Sequence, residues 1–146
     1  MRLYLDNCCF NRPYDDQSQT RIRIESEAKL SIQNRVLTGE IELAWSYVLD
    51  FENSMNPFPE RRWSIAQWKV MAAIHVIETS TILDVAEACE ARGLSGKDAL
   101  HIACAVEAGC DCFLTTDDRI IKMMNHYDKI RVMNPTAFVT TMEAYE

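Results

Sequence analysis

Asp6, Glu52, Asp98 and Asp117 are far apart in the chain, yet each stands at the edge of an apolar run. Asp6 closes Arg2-Leu3-Tyr4-Leu5, and Glu52 closes Ser46-Tyr47-Val48-Leu49-Asp50-Phe51. Asp98 opens Ala99-Leu100-His101-Ile102-Ala103, and Asp117 closes Phe113-Leu114-Thr115-Thr116. In open α/β sheets, ligands bind beyond the carboxyl ends of the strands. Carboxylates gathered there suit Mg²⁺ or Mn²⁺, hard cations that favour oxygen donors. That chemistry points to phosphate.

Each acid also has a purely structural reading. Asp6 can cap the turn after its strand, and Ser95-Gly96-Lys97-Asp98 has capping-box spacing. Thr115-Thr116-Asp117-Asp118 carries the acids of a helix N-terminus, where they complement the helix dipole. Glu52 can be an exposed helix residue. The four together carry more weight than any one, because three of them fall at strand-to-helix junctions or at the start of a buried helix.

The elements that must position these acids follow from pattern. Residues 2–5 read as a buried strand and 11–16 as a loop. From 18 to 37, Ile24, Ala28 and Ile32 recur at helical spacing, with Gly39 just past the end. A strand at 41–45 precedes a helix carrying Asp50 and Glu52, which Asn56-Pro57-Phe58-Pro59 breaks. Helices are expected at 60–73 and 81–92, the second ending at Gly93, and at 95–108, a helix apolar almost all round and so buried. A strand at 110–114, a short helix at 117–125, a strand at 130–133 and a helix from Pro135 complete the chain. The alternation predicts a single domain over 1–146, three-layer α/β/α, with a central parallel sheet of four to five strands.

With 146 residues and 48% hydrophobic content, the chain has ample material for one core. Only three apolar-type residues separate Arg2 from Asp6, so no signal peptide is expected, and charged interruptions leave no membrane span. Six cysteines in such a chain read as reduced cytoplasmic thiols. Cys110-x-Cys112 has no second pair to make a zinc knuckle. Four glycines provide neither a P-loop nor a dinucleotide fingerprint. The net charge of −7 opposes broad, non-specific nucleic-acid binding, although carboxylate ligands add to that count and bound cations would locally reverse it.

The opening Leu3-Tyr4-Leu5-Asp6-Asn7 with Asn11-Arg12-Pro13, the segment Gly96-Lys97-Asp98-Ala99-Leu100-His101-Ile102-Ala103-Cys104-Ala105, and Phe113-Leu114-Thr115-Thr116-Asp117-Asp118 resemble the PIN-domain family of metal-dependent ribonucleases, which includes the VapC-type toxins of toxin–antitoxin pairs. The likeness covers nearly the whole chain, and Ser46 to Glu52 matches the family's serine-to-glutamate spacing. The family opening is usually Asp, then Thr or Ser, then Asn; here Asn7 and Cys8 follow Asp6, so the polar side chain falls one position early.

The resemblance implies Mg²⁺- or Mn²⁺-assisted hydrolysis of RNA phosphodiesters, an RNA substrate, an antitoxin partner and a homodimer. It implies that Asp6 and Asp98 share one metal, that Glu52 completes its shell, and that Asp117 binds a second ion or orients water. Asn7, Thr116 and Asp118 are candidates for hydrogen-bonding those ligands, and Arg12, Arg21 and Arg23 for contacting RNA phosphates. His101, three residues after Asp98, is read as a hydrogen-bonded core histidine or a metal-site residue. Trp45, Trp63 and Trp68 are read as core or interface packing, or as stacking surfaces for bases. Two other functions fit acids at strand ends: an inactive PIN-like interaction domain, and a phosphoacceptor signalling module.

Overall fold

In the computed structural model, which describes residues 1–145, five strands form one parallel sheet: β1 Arg2–Leu5, β2 Glu42–Ser46, β3 Ile74–Val76, β4 Cys112–Leu114 and β5 Arg131–Met133. The order is β3-β2-β1-β4-β5. The chain therefore leaves β1 toward β2 and β3, then returns to lie on its other side with β4 and β5. Such a reversal opens a crevice at the carboxyl ends of the central strands. Leu3, Tyr4 and Leu5 are at most 1% exposed, as a central parallel strand covered on both faces requires.

The helices are α1 Asn7–Asn11, α2 Thr20–Leu37, α3 Tyr47–Ser54, α4 Pro59–Met71, α5 Ser80–Ala91, α6 Gly96–Glu107, α7 Asp118–Met123 and α8 Pro135–Ala144, with a 3-10 turn at Arg12–Tyr14. The three-layer parallel architecture expected from the sequence is present. Gly39 and Gly93 take φ of 79° and 109° just past α2 and α5, a region that L side chains avoid. In α6, Ala99, Ile102, Ala103, Cys104 and Ala105 are fully buried, and their small side chains let the helix approach the sheet closely.

Two elements fall largely in stretches to which the sequence assigned none. The segment after Asp6 is helical, because the Asp6 side chain accepts from Asn7 N and starts α1; five residues are too few to show a period. β3 lies directly after a helix expected to run on to residue 73. It pairs with β2 through only three residues, Ala44 to Ile74 through Ser46 to Val76, without a glycine or proline to announce it.

The buried face of α2 carries charge. Glu25 and Lys29 are 2% and 4% exposed, whereas Ile24 is 43% exposed. Glu25 is paired by Arg12 and Arg21, each at 3.2 Å. Among the described residues Lys29 has no carboxylate partner; its Nζ lies 5.5 Å from the Phe10 and Trp68 ring centroids and donates to Gln33 Oε1. Trp45 is core, Trp68 is half-buried, and Trp63 is exposed. All six cysteines are free thiols. Among the described residues, no helix is long and apolar enough to cross a membrane.

Candidate metal centre

Asp6 is placed by the sheet itself. Its backbone N–H donates to Leu114 O at 2.9 Å, setting the residue after β1 beside the end of β4. Its Oδ1 accepts from Asn7 N at 2.8 Å, and its Oδ2 accepts from Thr115 Oγ1 at 2.8 Å. Glu52 comes from α3, which Ser46 starts by accepting from Leu49 N at 3.2 Å. His101 comes from the buried face of α6. One ligand atom from each of Asp6, Glu52 and His101 falls within a group spanning 4.8 Å.

His101 is held from both sides. Nε2 makes a short hydrogen bond to Glu52 Oε1 and lies 3.9 Å from Asp6 Oδ1. Nδ1 is 2.6 Å from Tyr4 Oη, which is 2.6 Å from Ser46 Oγ. Tyr4, Ser46 and His101 are all buried, so each polar atom depends on this chain for its partner. Tyr4→Phe leaves two of those atoms short of a bond and is expected to cost about 1–3 kcal/mol. Urea unfolding measures this, and a loss below about 0.5 kcal/mol would show that the chain is not needed for stability.

The electrostatics of the two acids diverge. Burial pushes the Asp6 carboxyl above its ordinary range, with repulsion from Glu52 and Asp98 added, against the lowering influence of His101 and Thr115. Burial also pushes Glu52 upward, but His101, Lys97 and Asn7 together outweigh it and leave that carboxyl below its ordinary range. Asn7 Nδ2 donates to Glu52 Oε2 at 3.0 Å, and Lys97 Nζ lies 3.5 Å from the same oxygen. Two carboxylates and an imidazole converge on a point where one of the acids is reluctant to ionise. A divalent cation fits such a donor set and would relieve the repulsion.

Asp98 and Asp117 lie outside the 4.8 Å group. Asp98 still acts on Asp6 through its charge, and its Oδ2 is 4.0 Å from Arg119 Nη2. Asp117 caps α7, accepting from Arg119 N at 2.9 Å, and its own N–H donates to the Thr115 hydroxyl that binds Asp6. Both structural readings therefore hold beside the functional one: Asp98 N donates to Ser95 Oγ at 3.3 Å, and Asp117 is an N-cap.

Among the expected supporting residues, Asn7 reaches Glu52, whereas the hydroxyl on Asp6 belongs to Thr115 rather than Thr116. The parallel register pairs Leu5 with Leu114, which puts the next residue of each strand side by side. Thr116 instead offers its N–H to Cys8 Sγ and its carbonyl to Arg21. Asp118 is engaged with Arg21, which donates to both its oxygens at 2.7 Å, and not with the acids. Arg12 pairs with Glu25 and Asp15, Arg21 with Glu25 and Asp118, and Arg23 is exposed. Tyr4 and Thr115 were not singled out by sequence. Tyr4 reads as one more apolar strand residue, and only the alternation in β1, which turns its hydroxyl toward α6, could have marked it.

Comparison with known proteins gives a consistent fold. The PIN domain family model matches residues 3–125. No curated protein matches the chain in sequence. Among solved structures, FitAcB from Neisseria gonorrhoeae aligns with a TM-score of 0.61 at 11% identity, covering 91% of this chain and 97% of that one. VapBC-1 from nontypeable Haemophilus influenzae aligns at 0.58 with 13% identity, over 93% and 99%. VapBC2 from Rickettsia felis, bound to a DNA fragment from their promoter, aligns at 0.56 with 12% identity, over 92% and 98%.

Proposed function

The chain belongs to the PIN-domain family, and on that premise we propose that it is a Mg²⁺- or Mn²⁺-dependent endoribonuclease acting as the toxin of a toxin–antitoxin pair. The observation that carries the reading is the convergence of Asp6, Glu52 and His101 at the carboxyl edge of the sheet, with Asp6 buried and held above its ordinary pKa. Asp6 and Glu52 would hold the cation, with Asp98 beside them and Asp117 toward a second ion or the attacking water. When bound, a divalent ion supplies Lewis acidity, which lowers the pKa of the attacking water and offsets phosphate charge. The imidazole in the donor set favours Mn²⁺ over Mg²⁺.

The protein's own residues supply position. Thr115 fixes the Asp6 carboxylate from one side and Asn7 N–H from the other, while Asn7 Nδ2 and Lys97 steady Glu52. The displaced Asn7 thus keeps a hold on the acids, which supports the catalytic reading over an inactive interaction domain. The partners proposed are RNA, an antitoxin protein and a second copy of the chain, in the cytoplasm. The exposed apolar face of Leu37, Trp63, Val70 and Met71 supports the homodimer.

Two measurements on the intact chain test the reading. Mn²⁺ at about 100 times its Kd is expected to add about 2.7 kcal/mol of stability, or roughly 5–10 °C in Tm. A mixed RNA pool should be cut in Mn²⁺ and left whole in chelator. A protein with neither a thermal shift nor metal-dependent cleavage is not this enzyme.

A further inference from the structure

A second cleft adjoins the acids. It has a volume of ≈ 320 Å³, and Glu52 and Asn7 line it as well as the metal centre. An occupant of this cleft would therefore lie beside the reacting phosphate. The volume falls at the small end of the ~300–1,000 Å³ range of ligand pockets, which suits a nucleotide better than a protein helix.

Phe58 and Arg61 make one wall aromatic and cationic. The Arg61 guanidinium lies 4.0 Å from the Phe58 ring centroid and, behind the cleft lining, 5.4 Å from that of Tyr14. Phe58 is 50% exposed and Tyr14 40%, so neither ring is a core residue. Arg61 lies over one face of the Phe58 ring, and a half-exposed ring backed by a planar cation is a platform for a flat π-system, as in proteins that stack single-stranded bases.

The loop bearing Phe58 is fixed in advance. Asn56 Oδ1 accepts from Phe58 N at 3.1 Å, Arg62 Nη1 donates to Asn56 O at 2.9 Å, and Asn53 Nδ2 donates to Arg62 O at 2.9 Å. Asn56 Nδ2 donates to Asn11 Oδ1 at 3.1 Å. A primary amide has two N–H donors and two lone pairs, so Asn56 keeps one of each for a ligand. Asp15 and Glu52 also line the cleft, and their charges disfavour a phosphate inside it. A neutral base bearing an exocyclic amino group meets no such repulsion.

We propose that this cleft is a nucleobase subsite, taking one unstacked base of the RNA strand next to the scissile phosphate. The base stacks on the Phe58–Arg61 platform, and Asn56 hydrogen-bonds its edge. The assignment rests on the ribonuclease reading above, since it gives the metal centre a strand to position.

The test titrates the full chain, in Mn²⁺, with hydrolysis-resistant phosphorothioate RNA oligonucleotides carrying 2-aminopurine at successive positions. One register should show a distinct emission change. Phe58→Ala and Arg61→Ala should remove that change and weaken binding about 5- to 100-fold, and Phe58→Trp should retain both. Because these side chains are exposed or half-buried, the variants should keep the parental Tm and the parental thermal shift with Mn²⁺. Parent and alanine variants that bind RNA equally well overturn the subsite while leaving the ribonuclease reading intact; the platform would then be a protein contact. A parent that binds no RNA in any register overturns both.

Discussion

On the proposed reading, Asp6→Asn is expected to lower kcat/KM for Mn²⁺-dependent RNA cleavage by at least ~10²–10⁴-fold, because several kcal/mol of metal-derived transition-state stabilisation would depend on that carboxylate. The same substitution should make the metal-free protein more stable. Asp6 is buried beside Glu52 and Asp98, and its carboxyl is held above the ordinary value of 3.8. A group whose folded pKa is raised contributes stability below its unfolded pKa and loses that contribution as pH rises through its folded pKa. The metal-free parent should therefore weaken across that acidic window. The Asn variant should not show that step, since it carries no charge to bury, and the Thr115 hydroxyl can turn to accept from the new amide. Mn²⁺ should then stabilise the parent more than the variant. Urea unfolding from pH 3 to 7, with and without Mn²⁺, reads both effects. An Asp6→Asn protein that cuts RNA at the parental rate would sink the proposed ligand role. A variant less stable than the parent without metal would show that hydrogen bonding at this site outweighs charge burial.

Lys29→Met should stabilise the protein by roughly 1–3 kcal/mol at pH 7. Burial is the chief cause that lowers the Lys29 pKa from 10.5 to about 8. A gap of that size corresponds to roughly 3 kcal/mol for keeping the ammonium buried at neutral pH. The Phe10 and Trp68 rings return only part of it, since cation–π contacts contribute about 0.5–2 kcal/mol. Methionine fills a similar volume without the charge. The sign with pH follows from proton counts. Between about 8 and 10.5 the unfolded lysine keeps a proton that the folded one has lost, so parental stability gains on the variant as pH rises. The advantage of the variant should be flat below pH 8 and shrink toward pH 10.5. Taking the difference between the two proteins removes the titration of the buried tyrosines and of the thiols other than Cys9, which interacts with Lys29. A difference that does not change with pH, or a variant less stable at pH 7, would mean that Lys29 is satisfied by its surroundings.

Lys29 also illustrates what helical periodicity leaves open. Ile24, Ala28 and Ile32 announce a helix, but they do not say which stripe faces inward. α8 and the Arg12–Tyr14 turn pack against α2, and the helix is rotated so that Glu25 and Lys29 go in and Ile24 stays out. Burying Glu25 is tolerable because Arg12 and Arg21 arrive from other positions to pair with it. The same arginines are the sequence's candidates for phosphate contacts; their charge is visible there, whereas their carboxylate partners within the chain are not. β3 was hidden for another reason: three residues on the edge of a parallel sheet carry too short a pattern to separate from the end of a helix.

Local chemistry was enough for the alternation of strands and helices, for the helix starts at Ser95 and Pro135, and for the four acids at element boundaries, because each of these depends on neighbours in sequence. Which acids share one space depends on strand order and register, and these are set by packing over long separations. Only the order β3-β2-β1-β4-β5 brings Asp6 against Thr115, and only the packing of α6 against β2 and β4 turns His101 from a core histidine into a neighbour of Glu52 and Asp6. Pairing leaves no local trace when the partners are 49 residues apart, as His101 and Glu52 are; it exists because a buried imidazole must find a hydrogen-bond partner in whatever the fold places beside it.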